Sequence, residues 1–521
     1  MTQKLGSFPG GLKLNGQKKR STQVAIRKMP LSKKLILPLQ QHIGEASTPI
    51  VAVGDKVLKG QKIAKAEGHV SVPLHAPSSG TVIAIDEQPI PHPSGLSALC
   101  ISIETDGEDK WIERQAIHDF TQLSEHEIRQ RIREAGIVGL GGAGFPSFIK
   151  LNPGVHHRVE TLIINGVECE PYITCDDMIM RERAEGILDG IEIIRFALRV
   201  KECVIAIEDN KPEAISAMEL ALGARSQLQD TRVVVIPTRY PTGSEKQLIQ
   251  VITGKQVPTR GLPIDIGIVS HNVGTTYAVG RAIKYGEPLI SRIVTVTGSE
   301  VKHAGNFETL FGTPMHELLS FCGTERQADE PFILGGPMMG YNLSGDHLPV
   351  TKTANCILVG VDDAAKSSTP LPCIRCGECA VACPVSLLPQ QLYWYSRAKD
   401  LEKANEYNLF DCIECGCCSY VCPSEIPLVH YFRFAKTEIM NEQQEHAKAD
   451  VARIRHENRL ARLELEQQEK ELRQQQRKAA LAASQAAKAK PLSYPLSPPL
   501  LIVRRHSNAI KSAVITLFIR D

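Results

Sequence analysis

Three features of the 521-residue sequence predict a multidomain chain of β and α/β layers. Residues 40–110 break into short apolar runs separated by glycine-containing turns. Residues 125–285 alternate β-branched runs with longer stretches at helical spacing. Nine of the fifteen cysteines then fall between Cys373 and Cys422. A chain this long exceeds one hydrophobic core and predicts about three or four domains. Its 60 basic and 58 acidic side chains give a net charge of +2, which excludes a general nucleic-acid coat. No apolar run approaches the ~20 residues that span a bilayer. The basic N-terminus lacks an apolar h-region, so no signal peptide is expected. The expectation is a cytoplasmic chain that meets a membrane only through a partner or a surface contact.

In chain order, VAVGDKVLKGQKIAKA and PLHAPSSGTVIAI read as strands, with turns at Gly54-Asp55 and Gly60-Gln61. This pattern resembles the biotinyl/lipoyl-type hammerhead fold and predicts an N-terminal β domain over 1–120. The AEGHVSVPLHAP segment lacks the modified lysine of that fold's Met-Lys-Met tip. The expected role is a docking or cover domain, not a swinging arm. TLIIN, CVIAI and RVVVIP are β-branched runs of the kind buried in a parallel sheet, separated by AEGILDGIEIIRFALR and KPEAISAMELALGA. They predict a Rossmann-like α/β domain over 121–285. RIVTVTG and PFILGG around a helical MHELLSF predict a small α+β module over 286–360, similar to the SLBB β-grasp domain. A polar linker at 361–372 leads into a cysteine-rich domain over 361–435. From about 438 to 490 the chain has no Gly or Pro. Val451, Ile454, Ala461, Leu465 and Leu472 form only a thin stripe there, interrupted by Asn458 and Gln468. The tail, 436–521, is expected to be charged, helical in its first part as a solvated helix or weak coiled coil, and partly disordered. Residues 491–521 carry no reading.

The cysteine runs are Cys373-x2-Cys376-x2-Cys379-x3-Cys383-Pro and Cys412-x2-Cys415-x2-Cys418-x3-Cys422-Pro. This is the bacterial ferredoxin spacing for 4Fe–4S clusters, in which the fourth cysteine of each run ligates the other cluster. One cluster is therefore assigned Cys373, Cys376, Cys379 and Cys422, the other Cys412, Cys415, Cys418 and Cys383. Cys417 is out of register. Structural zinc also uses paired C-x2-C, but it needs only four ligands and gives the repeated Cys-Pro ending no role. Two clusters in one domain make an electron wire that needs a source and a sink.

Gly139-Leu-Gly141-Gly142-Ala-Gly144-Phe145-Pro146 holds a formal G-x-G-x-x-G. That motif marks a dinucleotide site only when it follows a strand and opens a helix. Here EHEIRQRIREAGIV precedes it as helix, so the ordinary fingerprint fails its context. A glycine-rich bend still brings backbone N–H groups close to a phosphate or a flavin ring, and Lys150 adds a positive charge.

GLGGAGFP with Lys150, followed by INGVECEPY after the strand TLII, resembles the flavin-binding subunit of respiratory NADH dehydrogenase. Together with the β domain ahead and the double cysteine run behind, the chain is identified as similar to the C subunit of the Rnf (Rsx) electron-transport complex over roughly residues 5–435. ECEPYITCDD, IEDNKPEAI, GSEKQL, TGKQVP and IPLVHYFR carry most of the likeness. The resemblance implies non-covalent FMN held by Gly139, Gly141, Gly142, Gly144 and Lys150, with Asn165 and Glu168 facing the flavin. It implies nicotinamide nucleotide contacts at Glu170 and Phe145, and further flavin-side segments at Gly243, Glu245, Asn272 and Thr275. Leu140, Val167 and Ser244 stand where the respiratory protein has charged residues.

NADH delivers a hydride while each cluster carries one electron, and a flavin converts between the two. The resemblance implies electron exchange between NAD(H) and a low-potential, ferredoxin-like carrier. Integral membrane subunits would couple that exchange to ion translocation, with this chain peripheral on the cytoplasmic face of the bacterial inner membrane. The tail has 13 Lys/Arg against 9 Asp/Glu over 431–490 and is a candidate for contact with anionic lipid. Two other readings stay open: a non-enzymatic iron–sulfur relay that only docks a partner, and an adaptor reducing a redox-sensing regulator. Cys169 has no sequence sign of activation and reads as packing.

Overall fold

The computed structural model describes residues 5–154, 157–324, 331–343, 345, 347–360 and 369–489. The chain divides into two units, Met1–Met440 and Asn441–Asp521. In the second, the helix Leu428–Lys488 continues through residues exposed along their whole length. Its first turns, in the first unit, bury Leu428, Val429, Phe432, Ala435 and Ile439 in the core of the cysteine-rich region. The apolar LVHYF start of this helix therefore belongs to that region, and the helix is already under way at the expected tail boundary of 436.

Within the first unit, the N-terminal β region has two antiparallel sheets. One orders Lys34–Pro38, Ser97–Thr105, Gly80–Pro89 and Lys56–Val57; the other orders Thr48–Pro49, Lys62–Lys65 and Leu74–His75. Its inward residues Leu37, Ile63, Leu74, Val82, Ile101 and Ile103 share one core with Ile128 and Ile132 of the helix Glu125–Glu134. Ser124 and Glu127 form a capping box that starts that helix.

The expected 1–120 domain differs at its start. Phe8 packs on Leu248 and Ile249, Leu12 bridges to Tyr240, and Arg27–Lys28 pairs in parallel with Phe307 and Glu308. Residues 5–28 are thus a strap over the neighbouring layers. A two-residue strand has no periodicity by which a sequence could reveal it.

The α/β layer carries an all-parallel sheet ordered Thr231–Ile236, Glu202–Glu208, Thr161–Gly166, Ile268–Asn272. Alternate residues face opposite ways. Leu162, Ile164, Cys203 and Ile205 enter one core with the helices Ala184–Leu198 and Val273–Tyr285, while Ile163, Val204 and Ala206 enter another with Glu245–Thr253. The chain winds outward from Thr161–Gly166 and then returns to add Ile268–Asn272 on its other side. The strand order reverses there, and ligands of open α/β sheets bind at the carboxyl ends flanking such a switch.

The helices Ala184–Leu198 and Val273–Tyr285 meet through glycine. A Cβ on Gly190 would lie 1.9 Å from the carbonyl oxygen of Thr276. Gly190→Ala is expected to cost about 1–3 kcal/mol by overpacking, read as a lower thermal midpoint.

A six-stranded mixed sheet orders Arg27–Lys28, Gly305–Leu310, Ser291–Thr297, Cys356–Leu358, Phe332–Leu334 and Tyr341–Leu343. Near it Lys352, fully buried, donates from Nζ to the carbonyls of Gly136 (2.7 Å) and Pro73 (3.5 Å). Burial pushes this lysine down to about 7. The unfolded chain keeps the proton up to its ordinary 10.5, so between these values it binds more protons than the native state. Stability should therefore rise with pH over that window, by as much as ~1.4 kcal/mol per pH unit. Urea midpoints should show this rise in the parent chain and a flatter profile in Lys352→Met.

Candidate functional site

At the strand-order switch, Asn165 and Asn272 stand in register at the carboxyl ends of adjacent strands. A cavity of about 650 Å³ opens there, lined among others by Gly139, Gly141, Gly142, Phe145, Lys150 and Asn165, and by Glu168, Glu170, Gly243, Glu245, Asn272 and Thr275. The fold thus gathers twelve of the thirteen residues expected at a flavin and nucleotide site. Gly144, the thirteenth, is buried in the loop itself.

The glycine loop closes on itself: Gly139 N donates to Phe145 O (2.8 Å) and Gly144 N to Gly139 O (3.2 Å). Gly144 sits at φ +64°, where a Cβ would meet Thr353 at 2.9 Å. Gly142, at φ +116°, has open space where a side chain would be. Thr275 Oγ1 accepts from Leu140 N (2.8 Å) and fastens the loop to the helix Val273–Tyr285, which Asn272 caps through Thr275 N. Asn165 accepts from Val167 N and donates to Gly243 O (2.9 Å).

Several expected ligand contacts already have protein partners. Lys150 Nζ is 2.6 Å from Glu245 and also donates to Ser270 O. Glu168 accepts from the amides of Asp176 (2.7 Å) and Asp177 (3.2 Å) at the start of the helix Cys175–Glu182. Glu170 accepts from the amides of Met338 (2.6 Å) and Met339 (3.0 Å). It passes so close to Gly336 that a Cβ there would fall 2.0 Å from Glu170 Cγ. Burial raises the Glu170 carboxyl above its ordinary range. Phe145 is half-buried at the cavity wall. Burial also raises the Cys169 thiol, the reverse of what an activated nucleophile needs.

The loop after Thr161–Gly166 is strained. Glu168 and Tyr172 have φ +46° and +69°, left-handed values that side chains disfavour and that surrounding structure must hold. Two lysines hold it. Lys18 Nζ, from the strap, donates to the carbonyls of Glu168 (2.6 Å), Glu170 (2.9 Å) and Ile173 (2.6 Å). Lys211, fully buried, donates to Val167 O (2.7 Å), to Glu208 (3.0 Å) and to Asn210 (2.9 Å). Sequence reasoning missed both. Lys211 lies inside IEDNKPEAI, and the apolar strand before it was the only local sign that its head group would be buried.

The cysteines line two small cavities. Cys373, Cys376, Cys379 and Cys422 share one, and Cys383, Cys412, Cys415 and Cys418 share the other. The two loops repeat their backbone, with positive φ at Arg375 and Glu414, Gly377 and Gly416, and Ser386 and Glu425. Backbone amides donate to sulfur at Cys383 (from Leu387, 3.3 Å) and Cys412 (from Glu414, 3.4 Å). Four convergent thiols with N–H donors suit a cuboidal iron–sulfur cluster. The first cavity reaches the surface, since Cys376 is exposed, whereas Cys383, Cys415 and Cys418 are buried.

The glycine-loop cavity and the second cysteine loop touch. Ile413 and Cys415 line both cavities, and Tyr240, whose hydroxyl donates to Cys415 O (2.5 Å), lies between them. The large cavity also suits a flavin mononucleotide. Its volume is in the range of cofactor sites, Gly142 leaves the backbone bare, and the buried Nε2 of His271 finds no hydrogen-bond partner among the described residues. Burial and the nearby Lys150 push His271 down to about 3.

Comparison with known proteins agrees with this arrangement. Residues 132–281 match the Nuo51 FMN-binding domain, 6–108 the RnfC barrel sandwich hybrid domain, and 372–426 a 4Fe-4S dicluster domain. Fold, site and matches define an electron-transfer protein whose cofactors are FMN and 4Fe–4S clusters. The chain is 51% identical over 462 residues to the C subunit of the ion-translocating oxidoreductase complex of Pseudomonas aeruginosa, covering 88% of this chain and 59% of that one. The proteins of the same name from Serratia proteamaculans (49%, covering 90% and 66%) and Pectobacterium atrosepticum (46%, covering 92% and 69%) are also similar. The chain belongs to the family formed by the C subunits of ion-translocating oxidoreductase complexes. It spans less than two thirds of the length of the Pseudomonas and Serratia relatives. The crystal structure of NAD+-reducing [NiFe]-hydrogenase in the air-oxidized state gives a TM-score of 0.43 at 19% identity, over 56% of this chain and 55% of that one, too slight a likeness to bear on function.

Proposed function

We propose that this chain is the NAD(H)-side subunit of a membrane-bound complex that couples electron transfer between NAD(H) and a ferredoxin-like, low-potential carrier to ion translocation. The observation that carries the proposal is the shared wall: Ile413 and Cys415 belong both to the large cavity and to a cysteine cage. A hydride acceptor in the large cavity would therefore sit beside a one-electron carrier. FMN, when bound, supplies the exchange between two-electron and one-electron chemistry.

The chain's own residues bind and orient. The bare backbone of Gly139, Gly141 and Gly142 suits close approach of a phosphate or ring, with Asn165, Asn272 and Thr275 as polar partners. Lys150 already shares its charge with Glu245, so it favours a phosphate less than a free lysine would. Phe145 and Glu170 are the proposed nicotinamide contacts, Glu170 fixed in place by the Met338 and Met339 amides. The two cysteine cages are the proposed cluster ligands, Cys373, Cys376, Cys379 and Cys422 in one and Cys412, Cys415, Cys418 and Cys383 in the other. The buried cage lies next to the flavin and the exposed one faces an outside partner.

No described helix is long and apolar enough to cross a membrane. The ion path is accordingly assigned to integral partner subunits, with this chain peripheral at the cytoplasmic face of the inner membrane and the basic tail as a lipid contact. Deleting residues 441–521 and finding membrane retention unchanged would remove that tail role. The N-terminal sheets are proposed as a hammerhead-type cover and the six-stranded sheet as an SLBB-type β-grasp. The main reading is tested by electron delivery from NADH to the clusters in the FMN-supplied chain; clusters that ignore NADH would reduce the protein to a relay.

A further inference from the structure

Two carboxylates meet at the cavity wall in unequal surroundings. Oxygens of Glu168 and Asp176 and the sulfur of Cys175 all lie within 4.8 Å of one another. Glu168 commits its oxygens to the Asp176 and Asp177 amides, and Lys18 Nζ stands 4.0 Å from it. Asp176 is buried and lines the cavity. Its one side-chain donor among the described residues is Asn272 Nδ2, 2.6 Å from Oδ2.

The cations nearby are otherwise engaged. Lys18 is bound to three carbonyls, and Arg292 is held by the carbonyls of Leu140, Ile293 and Lys352. Neighbouring carboxylates in a site of low polarity do not both ionise readily, and the one with fewer donors keeps the proton. Burial and the Glu168 charge push Asp176 up to about 7, against the opposing pull of Asn272, Arg292 and Lys18. Of the other carboxylates of the cavity, Glu170 already accepts two amides and lies beside Tyr240, and Glu245 is paired with Lys150.

We propose that Asp176 is the proton-holding residue of the flavin cavity, giving up one proton for each hydride that NADH delivers there. The inference rests on the flavin reading above. NADH loses a hydride, two electrons and one proton, and becomes NAD+. With FMN bound, that hydride and the Asp176 proton together would account for its two-electron reduction, leaving Asp176 as the carboxylate. When the two electrons leave singly for the clusters, two protons would be shed, one returning to the Asp176 carboxylate and the other passing to water, so that each NADH oxidised releases one proton overall. Asn272 positions Asp176 through its amide and fixes which oxygen is engaged.

The test is infrared spectroscopy of the full chain with isotope-labelled aspartate, alongside FMN binding followed by fluorescence quenching, in the parent, Asp176→Asn and Glu168→Gln. Asn at 176 is nearly isosteric and can still accept from Asn272. The expected parent spectrum has a protonated-aspartate carbonyl band that titrates away with a midpoint of about 7 and diminishes when NADH reduces the flavin. The band should vanish in Asp176→Asn and titrate at lower pH in Glu168→Gln, where the neighbouring charge is gone. Absence of the band in the parent, or its survival in Asp176→Asn, overturns the proposal. A parent chain that shows the band but binds no FMN would instead sink the flavin reading, and the proton-delivery role with it.

Discussion

Cys415→Ala is expected to uncouple the flavin from the clusters. Each cysteine cage supplies four thiols, so losing one ligand from the buried cage should release its cluster and lower bound iron by about half. The remaining cage is the exposed one. With the intermediate carrier gone, NADH should still bleach the flavin, but the surviving cluster should no longer follow it. The tether between layers should persist, because Tyr240 donates to the main-chain carbonyl of Cys415 and not to its sulfur. Iron content and cluster EPR of the variant decide the matter. Undiminished iron would mean that Cys415 is not a ligand, and NADH-driven reduction of the outer cluster at the parent rate would mean that electrons bypass the buried cage.

Lys211→Met is expected to be the most destabilising single change at the site. Lys211 and Glu208 are both wholly excluded from solvent, and one oxygen of Glu208 already finds no hydrogen-bond partner among the described residues. Removing the ammonium leaves a buried carboxylate uncompensated, which costs about 3–5 kcal/mol. It also takes the donor from Val167 O, next to the left-handed Glu168. The loop should relax, so FMN affinity should fall together with the denaturant midpoint. Adding Glu208→Gln should recover much of the stability by removing the stranded charge, but not the affinity, since Val167 O stays without its lysine. Equal midpoints for the parent and Lys211→Met would refute the role of this pair.

What could be read in advance was what is local. The cysteine spacings are local, and the ferredoxin pattern of exchanged fourth ligands was enough to sort eight thiols into the two sets that line the two cavities. The runs TLIIN, CVIAI and RVVVIP announced a parallel sheet because strands buried on both faces are apolar throughout. The glycine loop could be picked out because missing side chains are visible in any sequence. Its partners across the chain could not.

Lys18 reaches carbonyls 150 to 155 positions away, and nothing near KKR distinguishes that lysine from a solvated one. Tyr240 meets Cys415 across 175 positions, so the contact between cavity and cage depends on how two layers dock. Glu168 and Glu170 were expected to face ligands. Both line the cavity, but their oxygens also serve backbone amides: Glu168 takes the free N–H groups at the start of the helix Cys175–Glu182, and Glu170 takes those of the turn at Met338 and Met339. Asp176 was passed over for the converse reason. Its neighbour Glu168 takes the helix amides, and only the folded juxtaposition reveals which of the two is left to hold a proton.

The most direct test of the central claim is an anaerobic titration of the FMN-supplied, cluster-reconstituted chain with NADH, following the flavin absorbance and the cluster EPR together. The account predicts that flavin bleaching and the reduced-cluster signal appear in the same titration. Clusters that dithionite reduces but NADH leaves oxidised, with the flavin also unbleached, would contradict it.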